Sequence, residues 1–385
     1  MRIILFTGKG GVGKTTTAAS TAIKTAKEGK KTLIISTDPA HSLSDALNKQ
    51  LTPEPTEIEP NLWCMEFDVY YSMKKHWGSM QEMMKAIFKF QGVKNVVAEE
   101  LSVLPGMEEA AAFLWLEKFY RENTFDVIVI DSAPTGETLT LLSLPQVTKS
   151  WLTKAFPGQK FAVKTLGKVI RKTTGIPVDK GYEEMQQLFD KLESIQKAFL
   201  DPSICSIRIV TNPERMVVQE SKRAYSYLQL YGYNVDAVIV NRIFPEIEAG
   251  FFSHYIDKQK EYLEEIEESF YPLPILKVKH QGKEVFGTEL LTKIGDSVYG
   301  DLNPADVLHY EKPLEVVDIE NGYRVKLKIP FIKEEDFELK QFGDELIISL
   351  QNRRKNIFLP KFANYMKLTS HSYENPWLTI ELKRD

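Results

Sequence analysis

The sequence predicts a mainly parallel α/β domain with a helical subdomain, followed by a smaller all-β sandwich. Through about residue 300, short β-branched runs alternate with helical segments, which is typical of a parallel sheet covered by helices on both faces. A glycine-rich stretch separates the first of these runs from the first helix. After about residue 313 the hydrophobic period becomes two, which indicates short antiparallel strands.

The composition is that of a folded globular chain. Of its 385 residues, 43% are hydrophobic and 26% are charged, and the formal net charge is −4. This charge disfavours a general nucleic-acid-binding protein, because such proteins are usually basic. No apolar run approaches the roughly 20 residues that cross a bilayer, and the start MRIILFTGKGG is unlike a signal peptide. We therefore expect a cytoplasmic protein without a nucleic-acid partner.

The chain has only two cysteines, and each lies inside an apolar, strand-like run. Cys64 and Cys205 are far apart in the sequence, which excludes a Cys-x-x-Cys metal site within one chain. Both thiols are expected to be buried core groups. We therefore expect no bound zinc.

Seven apolar runs are predicted to form the large sheet. They are residues 2–7 and the runs KKTLIIST, NLWCMEFDV, FDVIVIDSA, SICSIRIVTN, VDAVIVNRI and YPLPILKV. A helix from Thr15 to about Lys27 follows the glycine-rich stretch. The whole α/β domain is predicted to span residues 1–300.

Two helical insertions interrupt this alternation, at about 70–121 and 151–180. The first carries a methionine-bearing apolar stripe, formed by Met73, Trp77, Met80, Met84, Ile87 and Phe88. Such a stripe packs on its own domain or binds an apolar partner, since methionine adapts to varied surfaces. The second insertion includes a basic helix near residues 160–172.

Residues 301–312 are predicted to be a linker, and residues 313–385 a β sandwich. Alternation is strict in YRVKLKIP, where the apolar residues from Tyr323 to Ile329 share one face. The basic residues between them are expected to lie on the solvated face of the sheet. The runs DELIISL, KNIFLP and WLTIEL supply further strands.

The stretch GKGGVGKTTT satisfies the phosphate-binding pattern G-x-x-x-x-G-K-[ST] between a strand and a helix. Backbone N–H groups of such a loop surround phosphate oxygens, and the helix adds the positive end of its dipole. Lys14 is expected to reach the β- and γ-phosphates, and the Thr15 hydroxyl to hold Mg²⁺. The predicted nucleotide-binding residues of this loop are Gly8, Lys9, Gly10, Gly11, Val12, Gly13, Lys14, Thr15 and Thr16.

A second lysine, Lys9, follows the first glycine of the loop. It comes too early to join the same phosphate cradle as Lys14. It is either a solvated lysine at the loop edge or a residue that reaches the nucleotide of a second copy of the chain. In the second case it would neutralise charge on the transferring phosphoryl group, as an arginine finger does.

Further candidate site residues lie at the carboxyl ends of predicted strands, where ligands of open α/β sheets bind. Asp38 is placed to orient a water for in-line attack, and Asp131 to act on Mg²⁺, usually through water. Pro134 follows Asp131 in a segment whose backbone could contact the γ-phosphate. Asn212 and Asn241 end later strands, and an asparagine amide can pair with the edge of adenine.

These motifs resemble those of the arsenical-pump and tail-anchored-protein-targeting ATPases. The resemblance is carried by GKGGVGKTT, STDPAHSLSDAL, DSAPTGETLTLL and VTNPERMVVQES, and it covers about residues 1–300. It implies an ATP- and Mg²⁺-dependent homodimer in which Lys9 acts across the interface, Asp38 orients water and Asp131 belongs to the second switch. It also implies that Asn241 contacts adenine and that PLPILKVKHQGKEV closes over the base.

The tail, about residues 313–385, is similar to the α-crystallin domain of small heat-shock proteins, through ELIISLQNRRKNIFLP and LTIELKR.

The chain departs from the pattern of the ATPase family in three ways. It has one ATPase half where arsenite-pumping members have two, it lacks the Cys-x-x-Cys pair of the targeting members, and Glu137 stands where a histidine is usual.

Three functions follow from this resemblance and from the motifs. The first is an ATPase whose opening and closing gates a hydrophobic helical client, as a chaperone or membrane-protein-targeting factor. The second is the soluble ATPase of an arsenite or antimonite efflux pump, which the cysteine placement disfavours. The third is a nucleotide-switched scaffold on a membrane surface, for which the basic helix near 160–172 is the candidate contact.

Overall fold

The computed structural model describes residues 1–38, 42–68, 71–72, 75, 107–133, 135–136, 142, 178–245, 253–359 and 361–384. Within them a large sheet with helices on both faces is followed by two small antiparallel sheets, so the predicted fold class is confirmed. The helices, numbered among these residues, are α1 (Lys14–Lys27), α2 (Ser42–Leu47), α3 (Met107–Glu122), α4 (Val178–Leu200), α5 (Arg215–Tyr231), α6 (Ser253–Phe270) and α7 (Thr288–Tyr299).

Eight strands form the large sheet in the order β3-β4-β2-β5-β1-β6-β7-β8. They are β1 (Arg2–Thr7), β2 (Thr32–Ser36), β3 (Thr56–Glu59), β4 (Leu62–Glu66), β5 (Val127–Asp131), β6 (Cys205–Thr211), β7 (Val235–Ile243) and β8 (Ile275–Lys279). Seven strands match the predicted runs and are parallel. The eighth, β3, was not predicted, because it is short and polar and half of its residues are exposed; it pairs antiparallel with β4 at the sheet edge.

Two separate apolar layers cover the sheet. Helices α3, α4, α5 and α6 pack on one face, and α1, α2 and α7 pack on the other. The central strand β1 contributes to both layers, since Ile3 and Leu5 belong to one and Ile4 and Phe6 to the other. Because β1, β2, β5, β6 and β7 run parallel, the residues that follow them meet at one edge of the sheet.

The C-terminal domain is a sandwich of two antiparallel sheets with strand orders β14-β15-β10-β9 and β11-β12-β13. The strands are β9 (Leu314–Ile319), β10 (Gly322–Lys328), β11 (Phe337–Phe342), β12 (Glu345–Leu350), β13 (Arg353–Phe358), β14 (Met366–Glu374) and β15 (Trp377–Arg384). The alternating apolar face predicted from Tyr323 to Ile329 is confirmed, because all four of its apolar side chains are buried in the sandwich core.

The sandwich packs directly on helix α5. Leu230 of α5 is fully buried among the apolar side chains of the sandwich core. Ser226 donates a hydrogen bond to the carbonyl of Pro330, and Lys355 Nζ donates to the carbonyl of Tyr231 at 3.0 Å. The two halves of the chain are therefore joined by a packed interface as well as by the linker.

One prediction about the sandwich surface is wrong. Lys328 was expected on a solvated face, but it is 6% exposed. Its ammonium contacts both carboxylate oxygens of Glu311, at 2.8 and 2.7 Å, and donates to the Tyr225 hydroxyl at 3.3 Å. The outer face of β10 lies against α5 at this point, which the alternation within one strand cannot reveal.

The predicted linker has no helix or strand, yet it is bound to the large sheet. Arg208 is fully buried and donates hydrogen bonds to the carbonyl of Pro304 at 2.8 Å and that of Asp306 at 3.3 Å. Arg2 donates to the carbonyl of Ala305 at 3.0 Å. A buried guanidinium needs its donors paired, so these linker carbonyls complete the core of the first half of the chain.

The two predicted interaction surfaces fall outside the described residues. They are the methionine-bearing stripe between residues 73 and 88 and the basic helix near residues 160–172. Among the helices that the structure describes, none is long and apolar enough to cross a membrane.

Candidate functional site

The loop between β1 and α1 has a backbone that only glycine fits at two positions. Gly8 has φ +157°, and a Cβ there would lie 2.2 Å from the carbonyl oxygen of Val210. Gly13 has φ +93°, and a Cβ would lie 2.1 Å from Asn241 Nδ2. The glycines thus let the loop press against the ends of β6 and β7. Glycine-rich loops of this kind can direct backbone N–H groups toward an anion.

Lys14 begins helix α1 and lies inside the loop. Its side chain is buried, and Nζ donates a hydrogen bond to the carbonyl of Lys9 at 3.4 Å. The Thr15 hydroxyl lies 3.1 Å from the Ser42 hydroxyl of α2. The structure therefore places the two predicted phosphate and metal contacts at the start of α1, directly below the loop.

Asp131 ends β5 and is fully buried beside these groups. Ser36 donates to its Oδ2 at 3.4 Å. Burial raises the pKa of Asp131 to about 7, with a smaller rise from the charge of Asp38, against hydrogen bonds from Thr15 and Ser36 and the positive charge of Lys14. The neighbouring groups thus favour the ionised carboxylate, and burial opposes it.

The residues around Asp131 fit a magnesium ion. Asp131 Oδ1 is buried and has no hydrogen-bond partner among the described residues, so one hard oxygen remains uncommitted. The Thr15 hydroxyl, which lowers the pKa of this carboxyl group, offers a second oxygen. Mg²⁺ prefers oxygen ligands of this kind and is usually held by one or two protein groups together with phosphates and water.

Asp38 follows β2 at the same edge of the sheet. Its backbone N–H donates to the Ser36 hydroxyl at 3.3 Å, and its charge lies near enough to raise the pKa of Asp131. Pro134 lies outside the described residues. Its neighbour Thr135 is buried, and its hydroxyl is without a hydrogen-bond partner in the part of the chain that the structure describes.

Both predicted asparagines lie beside the loop and hold its backbone. Asn241 donates from Nδ2 to the carbonyl of Val12 at 2.8 Å and accepts from the Arg242 N–H at 2.8 Å. Asn212, with its amide nitrogen turned toward the acceptors around it, lies 3.2 Å from the same Val12 carbonyl. Val12 itself is buried in the core. Two strand-ending amides therefore fix the middle of the loop.

A cleft of about 610 Å³ opens next to Gly13 and Thr16. Asn241 forms part of its wall, as do Phe244, Tyr255 and the segment from Val278 to Val285. The Phe244 ring stacks on His280, with centroids 4.5 Å apart and an interplanar angle of 14°. Apolar rings beside amide and charged groups suit a planar heteroaromatic base.

Lys9 does not point into the loop that contains it. Its ammonium lies 3.9 Å from Glu220 Oε2 of helix α5, and its side chain is 34% exposed. Lys14, in contrast, is 6% exposed. The two lysines of the motif thus occupy different environments, one inside the loop and one at its rim.

Sequence reasoning did not select Glu220, Phe244 or Tyr255. Phe244 comes three residues after Asn241 at the end of β7, a position that could have marked it. The other two lie within helices α5 and α6, and only the packing of these helices brings them to the cleft or the loop.

Both cysteines are buried, as predicted, in β4 and β6. Burial raises the pKa of the Cys64 and Cys205 thiols, which suppresses the thiolate that binds soft metals. Three strands separate β4 from β6 in the sheet, which places the two thiols about 19 Å apart. They cannot ligate one ion together.

A phosphate-binding loop between the first strand and first helix of a mainly parallel sheet, with one aspartate after β2 and another at the end of β5, defines a P-loop nucleoside triphosphatase. The family model described as anion-transporting ATPase matches residues 1–300, and that of the HSP20-like domain found in ArsA matches residues 320–382. The chain belongs to this ATPase family and carries its HSP20-like domain. The resemblance drawn from the motifs is thus confirmed, and the protein is an ATPase.

Three relatives illustrate the match. A protein of Prosthecochloris vibrioformis named "Putative arsenical pump-driving ATPase" is 40% identical over 387 residues, which cover 99% of this chain and 95% of that protein. A similarly named protein of Aquifex aeolicus is 36% identical over 374 residues, or 94% of each chain. The "ATPase get3" of Aspergillus terreus is 32% identical over 305 residues, which cover 77% of this chain and 90% of that protein.

Proposed function

We propose that the chain acts in the cytoplasm as an Mg²⁺-dependent homodimeric ATPase in which Lys9 of each chain acts on the nucleotide of the other. The dimer opens and closes with its nucleotide state, and this motion controls the binding of a hydrophobic helical client, such as a membrane-protein segment. The observation that carries the proposal is the separation of the two motif lysines: Lys14 is buried in its own loop, and Lys9 lies at the rim.

The chain's own residues divide the hydrolytic work. The loop N–H groups and Lys14 bind the phosphates, and Asp38 orients the attacking water at the end of β2. Thr15 and Asp131 are the residues that would hold Mg²⁺, Asp131 through water, and the bound ion would neutralise charge on the β- and γ-phosphates. Asn241 and Asn212 keep the loop in place through Val12.

The nucleotide base is proposed to enter the cleft beside Gly13. The stacked pair of Phe244 and His280 supports this, since it presents flat rings along the wall. Asn241 lies in the same wall, although its amide nitrogen is bonded to the loop. The resemblance of PLPILKVKHQGKEV to the loop that closes over adenine supports the same placement.

The proposed client contact is the methionine-bearing stripe between residues 73 and 88. Its support comes from the sequence pattern and from the similarity to the get3 ATPase, because these residues lie outside the described part of the chain. An efflux-pump role, suggested by the names of two relatives, lacks a metalloid site built from this chain's cysteines.

The proposal is tested by measuring ATP turnover and solution mass for the wild type and for Lys9→Ala. Both are measured with ATP, with ADP and without nucleotide. We expect a wild-type dimer with ATP, and a variant that still binds ATP but loses most of its turnover. If the protein is a monomer and its ATP turnover is unchanged by Lys9→Ala, then Lys9 is a surface lysine and the dimeric mechanism is refuted.

A further inference from the structure

An ion pair joins the phosphate-binding loop to helix α5 outside the groups assigned to hydrolysis. Lys9 Nζ lies 3.9 Å from Glu220 Oε2, and the two side chains are 34% and 31% exposed. This contact holds the ammonium of Lys9 toward α5. Neither the loop motif nor the proposed hydrolytic mechanism accounts for Glu220.

Helix α5 presents Glu220 from a fixed position. Lys222, half a turn further along, forms an ion pair of 2.6 Å with Glu265 of α6. The last turns of α5 are held by the C-terminal sandwich, through Leu230 in its core and through Lys355 on the carbonyl of Tyr231. The position of the helix that carries Glu220 is therefore set by contacts from both halves of the chain.

We propose that Glu220 is a positioning residue that holds Lys9 in a parked position until a second chain arrives. This inference rests on the proposed function, in which Lys9 crosses to the partner's nucleotide. Lys9 cannot pair with Glu220 and reach the partner at the same time, so loss of the ion pair is part of the cost of forming the active dimer. A partner that carries ATP offers more negative charge than one that carries ADP, which favours the exchange in the triphosphate state.

The experiment compares Glu220→Gln with the matched control Glu265→Gln. Each substitution removes one negative charge and one ion pair made by a residue of α5, but only Glu220→Gln releases Lys9. The dimer dissociation constant is measured by sedimentation with a non-hydrolysable ATP analogue. We expect Glu220→Gln to lower this constant about two- to fivefold, the range for an exposed ion pair, and Glu265→Gln to leave it unchanged.

A second readout reports on Lys9 itself. Reductive methylation of the chain without nucleotide, followed by mass spectrometry, gives the labelling rate of each lysine. Glu220→Gln should raise the rate at Lys9, whereas Glu265→Gln should not. A substitution that merely disturbed the structure of α5 would not act on Lys9 selectively.

The outcomes separate this inference from the proposed function. If Lys9→Ala abolishes turnover, but Glu220→Gln behaves like Glu265→Gln in both measurements, the parked position is refuted and the dimeric mechanism stands. If the wild type stays monomeric with the analogue, the proposed function and the parked position are both overturned. A tighter dimer with faster labelling at Lys9, seen for Glu220→Gln alone, establishes the role.

Discussion

The buried side chain of Lys355 is predicted to lower the stability of the folded chain. Its side chain is 5% exposed, in strand β13, and its ammonium donates to the carbonyl of Tyr231 at the end of α5. Burial lowers the pKa of Lys355 from 10.5 to about 8. The folded chain therefore disfavours the charged form, whereas the unfolded chain accepts it freely.

The magnitude follows from the two pKa values. The lowered pKa of Lys355 costs the folded state, relative to the unfolded chain, about 3 kcal/mol at pH 7 and about 1 kcal/mol at pH 9.5. The penalty is fully present below the folded pKa and fades as the pH rises toward 10.5. Lys355→Met keeps the apolar stem and removes the charge, at a cost of about 1 kcal/mol for the lost hydrogen bond. The variant should be about 2 kcal/mol more stable than the wild type at pH 7.

Urea unfolding followed by circular dichroism at pH 7 and pH 9.5 measures this difference. The advantage of Lys355→Met should shrink by about 2 kcal/mol between the two pH values. Lys340→Met is the matched control, because Lys340 is exposed in β11 of the same sheet and pairs only with nearby Glu338 among the described residues. An advantage that does not change with pH, or one that Lys340→Met shares, would refute the assignment of a buried, charged Lys355.

Three further predictions concern the nucleotide site. Asp38→Asn should retain ATP binding and slow turnover strongly, whereas Lys14→Ala should weaken ATP binding itself. Titration with a fluorescent ATP analogue measures binding, and a phosphate-release assay measures turnover. An equal loss of binding in both variants would contradict the roles proposed for Asp38 and Lys14. Gly13→Ala should weaken ATP binding by at least about tenfold, because residue 13 has φ +93° and its new Cβ would lie 2.1 Å from Asn241 Nδ2. The same titration measures this affinity, and a value near that of the wild type would contradict the close packing of the loop. Arsenite and antimonite should leave ATP turnover unchanged, because the buried thiols lie too far apart to share an ion; stimulation by either would revive the efflux-pump alternative.

The sequence predicts the large sheet well because its strands are buried on both faces. Seven apolar runs are long enough to stand out from the helices between them, and the phosphate-binding motif marks the edge where the site lies. Strands such as β9 escape prediction for the opposite reason. Val316 and Val317 are neighbours on opposite faces of β9, and they are 43% and 47% exposed, so the strand has no alternating apolar pattern.

The site is predictable where a contiguous motif defines it and unpredictable where distant elements meet. The loop residues and Asp131 follow from the local pattern of strand, glycines and helix. The stacking of Phe244 on His280 depends on the pairing of β7 with β8, which brings residues from two loops together. The burial of Lys328 likewise depends on a helix from the other half of the chain.

The contacts of Arg208 delay completion of the ATPase core until the linker has been synthesised. Its guanidinium forms a buried ion pair with Asp236 and also bonds to the carbonyls of Pro304 and Asp306. A chain that ends at residue 300 contains every nucleotide-binding motif but lacks both carbonyl acceptors, which leaves Arg208 Nη2, among the described residues, with only the 3.3 Å bond to Asp236 Oδ2. The ATPase half therefore completes its core only after the ribosome has synthesised β8, α7 and the linker that follows them. At that point the sandwich begins to emerge, already tethered beside the helix on which it will pack.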